Sequence, residues 1–364
     1  MKKTAVAATL LLAYAAAAQA QSNVTIFGIV DIGVRQVNNT RVGSMKSVVS
    51  AGESSGRLGF RGTEDLGGGL SAGFWVETTI AGDTGVGGAG ALPGTTAPQF
   101  WDRRAFVSLR STTLGQIRLG RDYTPTFDLW ADFDPFLHNG MGSSGQFTGT
   151  SRTAVDAFGV ATLPRTDVRA NNLVEYFLPE TLGGVYGNLT ASATEGGTAA
   201  GGGKTAGFRI GYKANAMNVS LAAYNITTDR AGNPKLKDLA VGGTYDFSVV
   251  KAYTAYRQFK YLNSKNSSWH VGAIVPVGAA EIIASYVAGN GSGRSVTGAN
   301  IDADDGNKIT LGFRYNLSKR TDIYGNIARV SNDGALASTI AGGPAGMPGG
   351  GTSKGIALGI RHRF

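Results

Sequence analysis

A period-two alternation of apolar and polar residues, repeated along most of the chain, restricts the fold more than any other feature. The last segment shows it plainly. Ile356, Leu358, Ile360 and Phe364 fall on one face of an extended ribbon, and Ala357, Gly359, Arg361 and Arg363 on the other. Successive side chains of a strand point to opposite faces, so such a ribbon has one oily and one wet side. The rhythm recurs in Val24–Val37 and in Lys308–Leu317. In Ser54–Glu64, Leu58, Phe60 and Gly62 oppose Arg57, Gly59, Arg61 and Thr63. In Leu70–Ile80, Leu70, Ala72, Phe74 and Val76 oppose Glu77. For Ala280–Ala288 and Thr321–Val330 the pattern leaves the faces unassigned. Roughly sixteen such segments follow one another, each near the ~9–11 residues of a tilted membrane strand.

The amino terminus says where the ribbons go. Met1-Lys2-Lys3 is followed by an apolar run from Thr4 to Ala18 and by Ala18-Gln19-Ala20, a small-x-small cleavage pattern. Residues 1–20 therefore read as a signal peptide, and residues 21–364 as the mature chain. No later stretch reaches the ~20 apolar residues of a spanning helix. The chain has no cysteine, so an exported fold must be held by its hydrogen-bond ladder or by size. Its net charge is +9, but Lys and Arg are scattered singly along the ribbons. A nucleic-acid binder would cluster them; scattered cations on inner faces suggest an electropositive lumen.

The connections complete the fold class. Asn38–Glu53 reads as a polar loop, Asp65–Gly69 as a tight turn, and Ala81–Gln99 as a second long loop. From Arg121 to about Arg165 alternation fails, yet Tyr123, Phe127, Trp130, Phe133 and Phe136 argue for an ordered loop. Short turns at one end and long loops at the other are what outer-membrane barrels show. The expected fold is all-β, a 16-stranded antiparallel transmembrane β-barrel. A ring that wide encloses water. Tyr212, Tyr315 and Phe364 suit an interfacial girdle. Catalytic readings find little footing. His138, His270 and His362 are far apart in sequence, with no triad or metal-ligand spacing, and the Gly-rich loops lack a phosphate-binding Lys-Ser/Thr ending. No cofactor or metal is expected.

Three motifs then stand out: Val24-Thr25-Ile26-Phe27-Gly28-Ile29-Val30-Asp31, Gly56-Arg57-Leu58-Gly59-Phe60-Arg61-Gly62-Thr63-Glu64-Asp65-Leu66-Gly67, and Gly120-Arg121-Asp122-Tyr123-Thr124-Pro125-Thr126-Phe127-Asp128. With the terminal Arg363-Phe364 they resemble the trimeric general porins of Gram-negative bacteria, betaproteobacterial type. The resemblance implies a homotrimer in the outer membrane, in contact with lipopolysaccharide and passing small hydrophilic solutes, anions preferentially. It implies a third long loop folded into the barrel, with an acidic edge facing basic wall residues. Carried over by motif, Arg57, Arg103 and Arg169 are constriction arginines, and Asp134 and Asp132 the acidic side. Asp134 suits a helix cap equally well. His138 stands where relatives carry a second loop carboxylate. Arg61, Glu77 and Arg118 are lumen-wall residues, and Arg121 is a subunit contact. Small outward residues such as Gly28, Gly62 and Ala72 would let barrels approach closely. Phe364 is the terminal signal read by the barrel-assembly machinery. Arg103 and Arg104, being adjacent, are expected on opposite faces, and the pattern leaves open which is luminal. A substrate-specific channel of the same architecture is the alternative reading.

Overall fold

The computed structural model describes residues 23–88, 99–149, 167–193, 203–228 and 232–364. The signal-peptide reading of residues 1–20 lies outside them. The strands are β1 (Asn23–Asn39), β2 (Gly43–Ser50), β3 (Arg57–Gly67), β4 (Leu70–Ala81), β5 (Val86–Gly87), β6 (Arg104–Ser111), β7 (Gly115–Tyr123), β8 (Arg169–Phe177) and β9 (Val185–Ser192). They continue as β10 (Thr205–Ala214), β11 (Met217–Thr227), β12 (Lys235–Asp246), β13 (Lys251–Tyr261), β14 (Ser264–Val277), β15 (Ala280–Gly293), β16 (Gly306–Asn316), β17 (Thr321–Asn332) and β18 (Thr352–Arg363). Each is antiparallel to its neighbours, and β18 pairs with β1 to close the ring. β2 and β3 both lie along β1 and together form one stave, and β5 is a two-residue strand beside β4, so the wall has sixteen staves. Closure leaves no unpaired edge in the hydrocarbon layer, where bare N–H and C=O groups would find no water.

Alternation decides which side chain faces which solvent. On β18, Ile356, Leu358 and Ile360 are about half exposed on the outside, while Ala357 and Arg361 are buried inside. The two undecided segments resolve the same way: Ile282 of β15 and Ile323 and Ile327 of β17 point outward, and Ile283, Tyr324 and Ala328 inward. The last residue seals the seam. Gly28 and Phe364 exchange backbone hydrogen bonds of 3.1 Å, and the Phe364 ring lies over Gly28 where a Cβ would collide with it. Gly62 is covered likewise by Phe74. These two small outward residues thus make room for rings of their own chain.

Two expectations about the connections change. Asn38–Glu53 contains strand β2, joined to β1 by the three residues Thr40–Val42, and β13 joins β14 through Leu262–Asn263 alone. Both tight turns use left-handed backbone, at Arg41, Gly43 and Leu262. The loop end of the barrel is therefore not uniformly long-looped. The other change lies between β2 and β3, where residues 51–56 leave the wall and fold inward.

Candidate functional site: the barrel waist

The long connection after β7 begins with helix α1 (Pro125–Asp132). Thr124 caps it, accepting from the Phe127 N–H at 3.4 Å, and proline occupies the first turn, where its missing N–H costs nothing. The helix cannot leave the barrel, because its apolar side matches a shallow track on the inner wall. Leu129, Trp130 and Phe133 are fully buried against Ala222, Ala240 and Ala255 of β11, β12 and β13. The track continues in glycine. A Cβ at Gly242 would meet Phe133, at Gly272 Pro135, at Gly312 Phe136, at Gly355 Met141, and at Gly289 or Gly306 Phe147. Five buried side chains (Leu129, Trp130, Phe133, Phe136, Phe147) at ~1.5–3 kcal/mol each hold the loop by on the order of 10 kcal/mol.

Polar contacts fix its path. His270 Nε2 lies 2.7 Å from the Phe133 carbonyl, and the buried Lys308 ammonium donates to the carbonyls of Met141 and Ser143. Gln146 reaches Ser338 Oγ at 2.7 Å in the last loop. The tip meets the inward-folded residues 51–56, where Asn139 Oδ1 accepts from Ser55 N–H at 3.1 Å and Ser55 Oγ at 2.8 Å. That second segment is itself held by Asp31. Its carboxylate accepts from the N–H groups of Gly52, Glu53 and Ser54 and from the Tyr324 hydroxyl, at 3.2, 2.9, 2.6 and 2.6 Å. Nothing in the alternation of residues 51–56 signals this detour.

The described part of the loop thus lines the barrel from β10 round to β18, and among the described residues the wall of β3, β4, β6, β7 and β8 carries the predicted arginines. Here they meet. Arg57 Nη1 is 3.3 Å from Glu77 Oε1, and Arg103 Nε pairs with the same oxygen. Tyr123 Oη accepts from Arg103 at 2.8 Å and from Arg169 at 2.9 Å. Glu77 is buried beneath its two arginines, so it sets their positions more than it presents charge to the channel. Arg118 pairs with Asp122 at 2.8 Å and lies over the Phe106 and Phe177 rings. Arg61 lies over Phe27 and Trp75 and is exposed.

Arg103 and Arg104 correct the expectation of opposite faces. β6 starts at Arg104, so strand alternation does not govern Arg103. Asp102 anchors the turn by accepting from Thr79 N–H at 2.7 Å and Thr79 Oγ1 at 2.6 Å. Arg103 then turns in to Glu77, while Arg104, opposite Glu77 in register, pairs with Asp122 at 2.7 Å and covers the Tyr123 ring. Both arginines serve the inner wall. Arg104, which the pattern had left open as the luminal alternative, belongs to the group, and Tyr123 is the member that sequence reading missed.

The acidic side differs more. Asp134 is fully buried, accepting from the N–H groups of Phe136 and Ser144 at 2.8 and 2.7 Å, from His138 N–H at 3.1 Å, and from the Ser144 hydroxyl. It organises the turns that follow α1 rather than capping a helix, and its carboxylate is spent inside the loop. Asp132 is exposed but pairs with Arg209 of β10 at 2.7 Å, away from the arginine group. His138 packs edge-on to Phe127, and burial pushes it down to about 4 against the pull of Asp134, so it is neutral at neutral pH. Asp128 of α1 borders a recess of about 320 Å³ at the short-turn end, with Arg118, Arg209 and Tyr186. Burial pushes its carboxyl up to about 7; Asp122 and Asp132 add to this and Arg104 opposes it. Arg121 donates to Asp102 O at 2.8 Å and Asn171 Oδ1 at 2.7 Å, both in its own chain.

Known proteins show the same architecture. A family model described as Gram-negative porin matches residues 7–335. Outer membrane porin protein 32 of Delftia acidovorans is 35% identical over the whole of both chains, and an outer membrane porin protein of Bordetella pertussis 27% identical over the same extent. The solved anion-selective porin from Comamonas acidovorans superposes with a TM-score of 0.79 at 35% identity, covering 94% of this chain and 100% of its own. The OmpF structure from Salmonella typhi, at 18% identity and a TM-score of 0.65, shares the fold.

Proposed function

The chain belongs to the Gram-negative porin family, and from that premise we propose that its waist is an anion-preferring filter for small hydrophilic solutes crossing the outer membrane. The observation that carries this reading is the imbalance at the waist. Arg57, Arg103 and Arg169 gather around Glu77 and Tyr123, while of the two loop carboxylates expected to face them Asp134 is buried and Asp132 is paired elsewhere. The solved relative from Comamonas acidovorans bears the description anion-selective.

The preference is graded. A guanidinium about 8 Å from a permeating anion contributes roughly 0.5 kcal/mol in bulk-like water. Three together give on the order of tenfold, and more where low-dielectric walls focus the field. With a Debye length of ~8 Å at physiological salt, the preference weakens in concentrated salt. The homotrimer and a role for Arg169 as the third constriction arginine belong to the same proposal.

Reversal potentials in planar bilayers under a KCl gradient test it. The intact protein is expected to favour chloride, and Arg57→Gln/Arg103→Gln/Arg169→Gln to lower the chloride-to-potassium permeability ratio about tenfold. Cation preference in the intact protein, or an unchanged ratio in the variant, rejects the assignment. Ohmic current at rising solute concentration separates a general channel from a substrate-specific one, which saturates.

A further inference from the structure

On the short-turn side of the waist the inner wall carries a group of rings and one guanidinium that the arginine network leaves out. Arg61 of β3 is the register partner of Trp75 of β4, and Trp75 of Phe106 of β6. Phe27 of β1 lies one pair away, opposite Gly59. These side chains face the lumen: Ile26 and Val107, next to Phe27 and Phe106, are exposed on the outside, and Arg61 and Trp75 share the parity of Arg57 and Glu77. The Phe27 ring lies across Gly59, where a Cβ would collide with it, and meets Trp75 edge-on at 4.9 Å between centroids. The Arg61 guanidinium stands 5.3 Å from the Phe27 centroid and 5.2 Å from that of Trp75, within cation–π reach of both. Trp75 is itself fixed, its Nε1 donating to Glu77 Oε2 at 3.0 Å.

Unspent charge sets Arg61 apart. Of the other arginines that lie over rings, Arg104 and Arg118 pair with Asp122, Arg209 with Asp132 and Arg257 with Asp238, while Arg169 donates to the Tyr123 hydroxyl. Among the described residues Arg61 has neither a carboxylate nor a hydroxyl partner, and it is exposed. The two rings hold its plane while its fork of N–H donors stays free for a carboxylate. Its level is distinct from the waist. Arg61 lies four residues beyond Arg57 toward the turn between β3 and β4. At ~3.3 Å per residue and a ~45° tilt this is about 9 Å along the channel axis. A chloride ion at this level meets only the charge. A flat ring bearing a carboxylate meets both parts, its carboxylate on Arg61 and its ring edge-on or offset-stacked against Phe27 and Trp75.

We infer that Arg61, Trp75 and Phe27 form a subsite for aromatic monocarboxylates on the short-turn side of the waist, benzoate being the simplest of that class. Solutes that combine a π-face with one negative charge are held there more tightly than aliphatic acids of equal charge. The inference rests on the water-filled channel but not on the ion preference of the waist. Benzoate and cyclohexanecarboxylate carry the same charge, so their comparison and the chloride-to-potassium ratio fail independently.

The test is planar-bilayer recording of the full mature chain at constant salt and neutral pH. Its chloride current is titrated with benzoate, with cyclohexanecarboxylate, which has the charge without the π-face, and with benzamide, which has the ring without the charge. Benzoate is expected to halve the current at about fivefold lower concentration than either of the others. Trp75→Leu is expected to bring benzoate to within about twofold of cyclohexanecarboxylate, and Arg61→Gln to bring it to within about twofold of benzamide. Arg61 is exposed, so its variant gives a channel to record even where loss of the Trp75 ring disturbs folding, which the far-UV spectrum checks. Raising the salt about tenfold should weaken the block by benzoate and leave that by benzamide as it is. Equal block by the two acids, equal block by benzamide, or a benzoate preference surviving in either variant overturns the inference.

Discussion

The two halves of the inner wall meet the long loop differently. From β11 to β18 the wall carries a track of alanine and glycine, beside buried ion pairs such as Arg257–Asp238 and Arg361–Asp322, and the aromatic side chains of the long loop fill the space those small residues leave. From β3 to β8 it is built of arginine, glutamate, aspartate and tyrosine. On the first half apolar side chains seated on small residues hold the loop, and buried groups such as His270 and Lys308 fix its path. The second is a network in which Arg57, Arg103, Arg104, Arg118 and Arg169 are each positioned by a carboxylate, a hydroxyl or an aromatic face. A porous barrel can thus have a narrow waist without a plug, because one half supplies a seat and the other supplies the field.

The comparison breaks most sharply if the covered half is loosened. Asp134→Ala removes the acceptor of four hydrogen bonds inside the loop and leaves their donors buried, at ~1–3 kcal/mol each. Single-channel recordings are expected to show a larger, noisier conductance, and limited proteolysis to cut the loop; a parental conductance would mean Asp134 does not hold it. A smaller effect sharpens the arginine half. Glu77→Gln withdraws one negative charge from between Arg57 and Arg103. Chloride preference is expected to rise about twofold, in line with ~0.5 kcal/mol for one charge, and a fall would show that Glu77 positions the arginines more than it offsets them. The smallest effect comes from α1, which borders both halves. Asp128, pushed up to about 7, is mainly neutral at pH 6 and mainly ionised at pH 8. A negative charge therefore develops beside Arg118 and Arg209 as pH rises, and chloride preference should decline by less than about twofold over that interval. Asp128→Asn should abolish the decline.

How far the sequence led differs between the two halves as well. Arg118 came with the family resemblance, whereas Arg57, Arg61 and Glu77 were placed opposite the apolar face by alternation alone, since each lies within a regular strand. Arg103 was not, because it precedes β6, and its neighbour Arg104 proved equally engaged inside. The loop aromatics were legible as packing residues, but the wall they pack on was not. Gly242, Gly272 and Gly312 belong to different strands and form a track only once the sheet is closed. The same holds for Asp134, whose donors come from its own loop only after that loop has bent back on itself.

Local chemistry alone determined that this chain crosses the membrane as amphipathic strands and which side of each strand meets lipid, because a period of two is a property of neighbouring residues. Only the closed barrel decided where the long loop lies, which loop carboxylates are spent on holding it, and that residues 51–56 leave the wall to meet Asn139. Those outcomes depend on contacts across strands tens to hundreds of positions apart, or on a loop bent back on itself, and no repeat within a single strand encodes them.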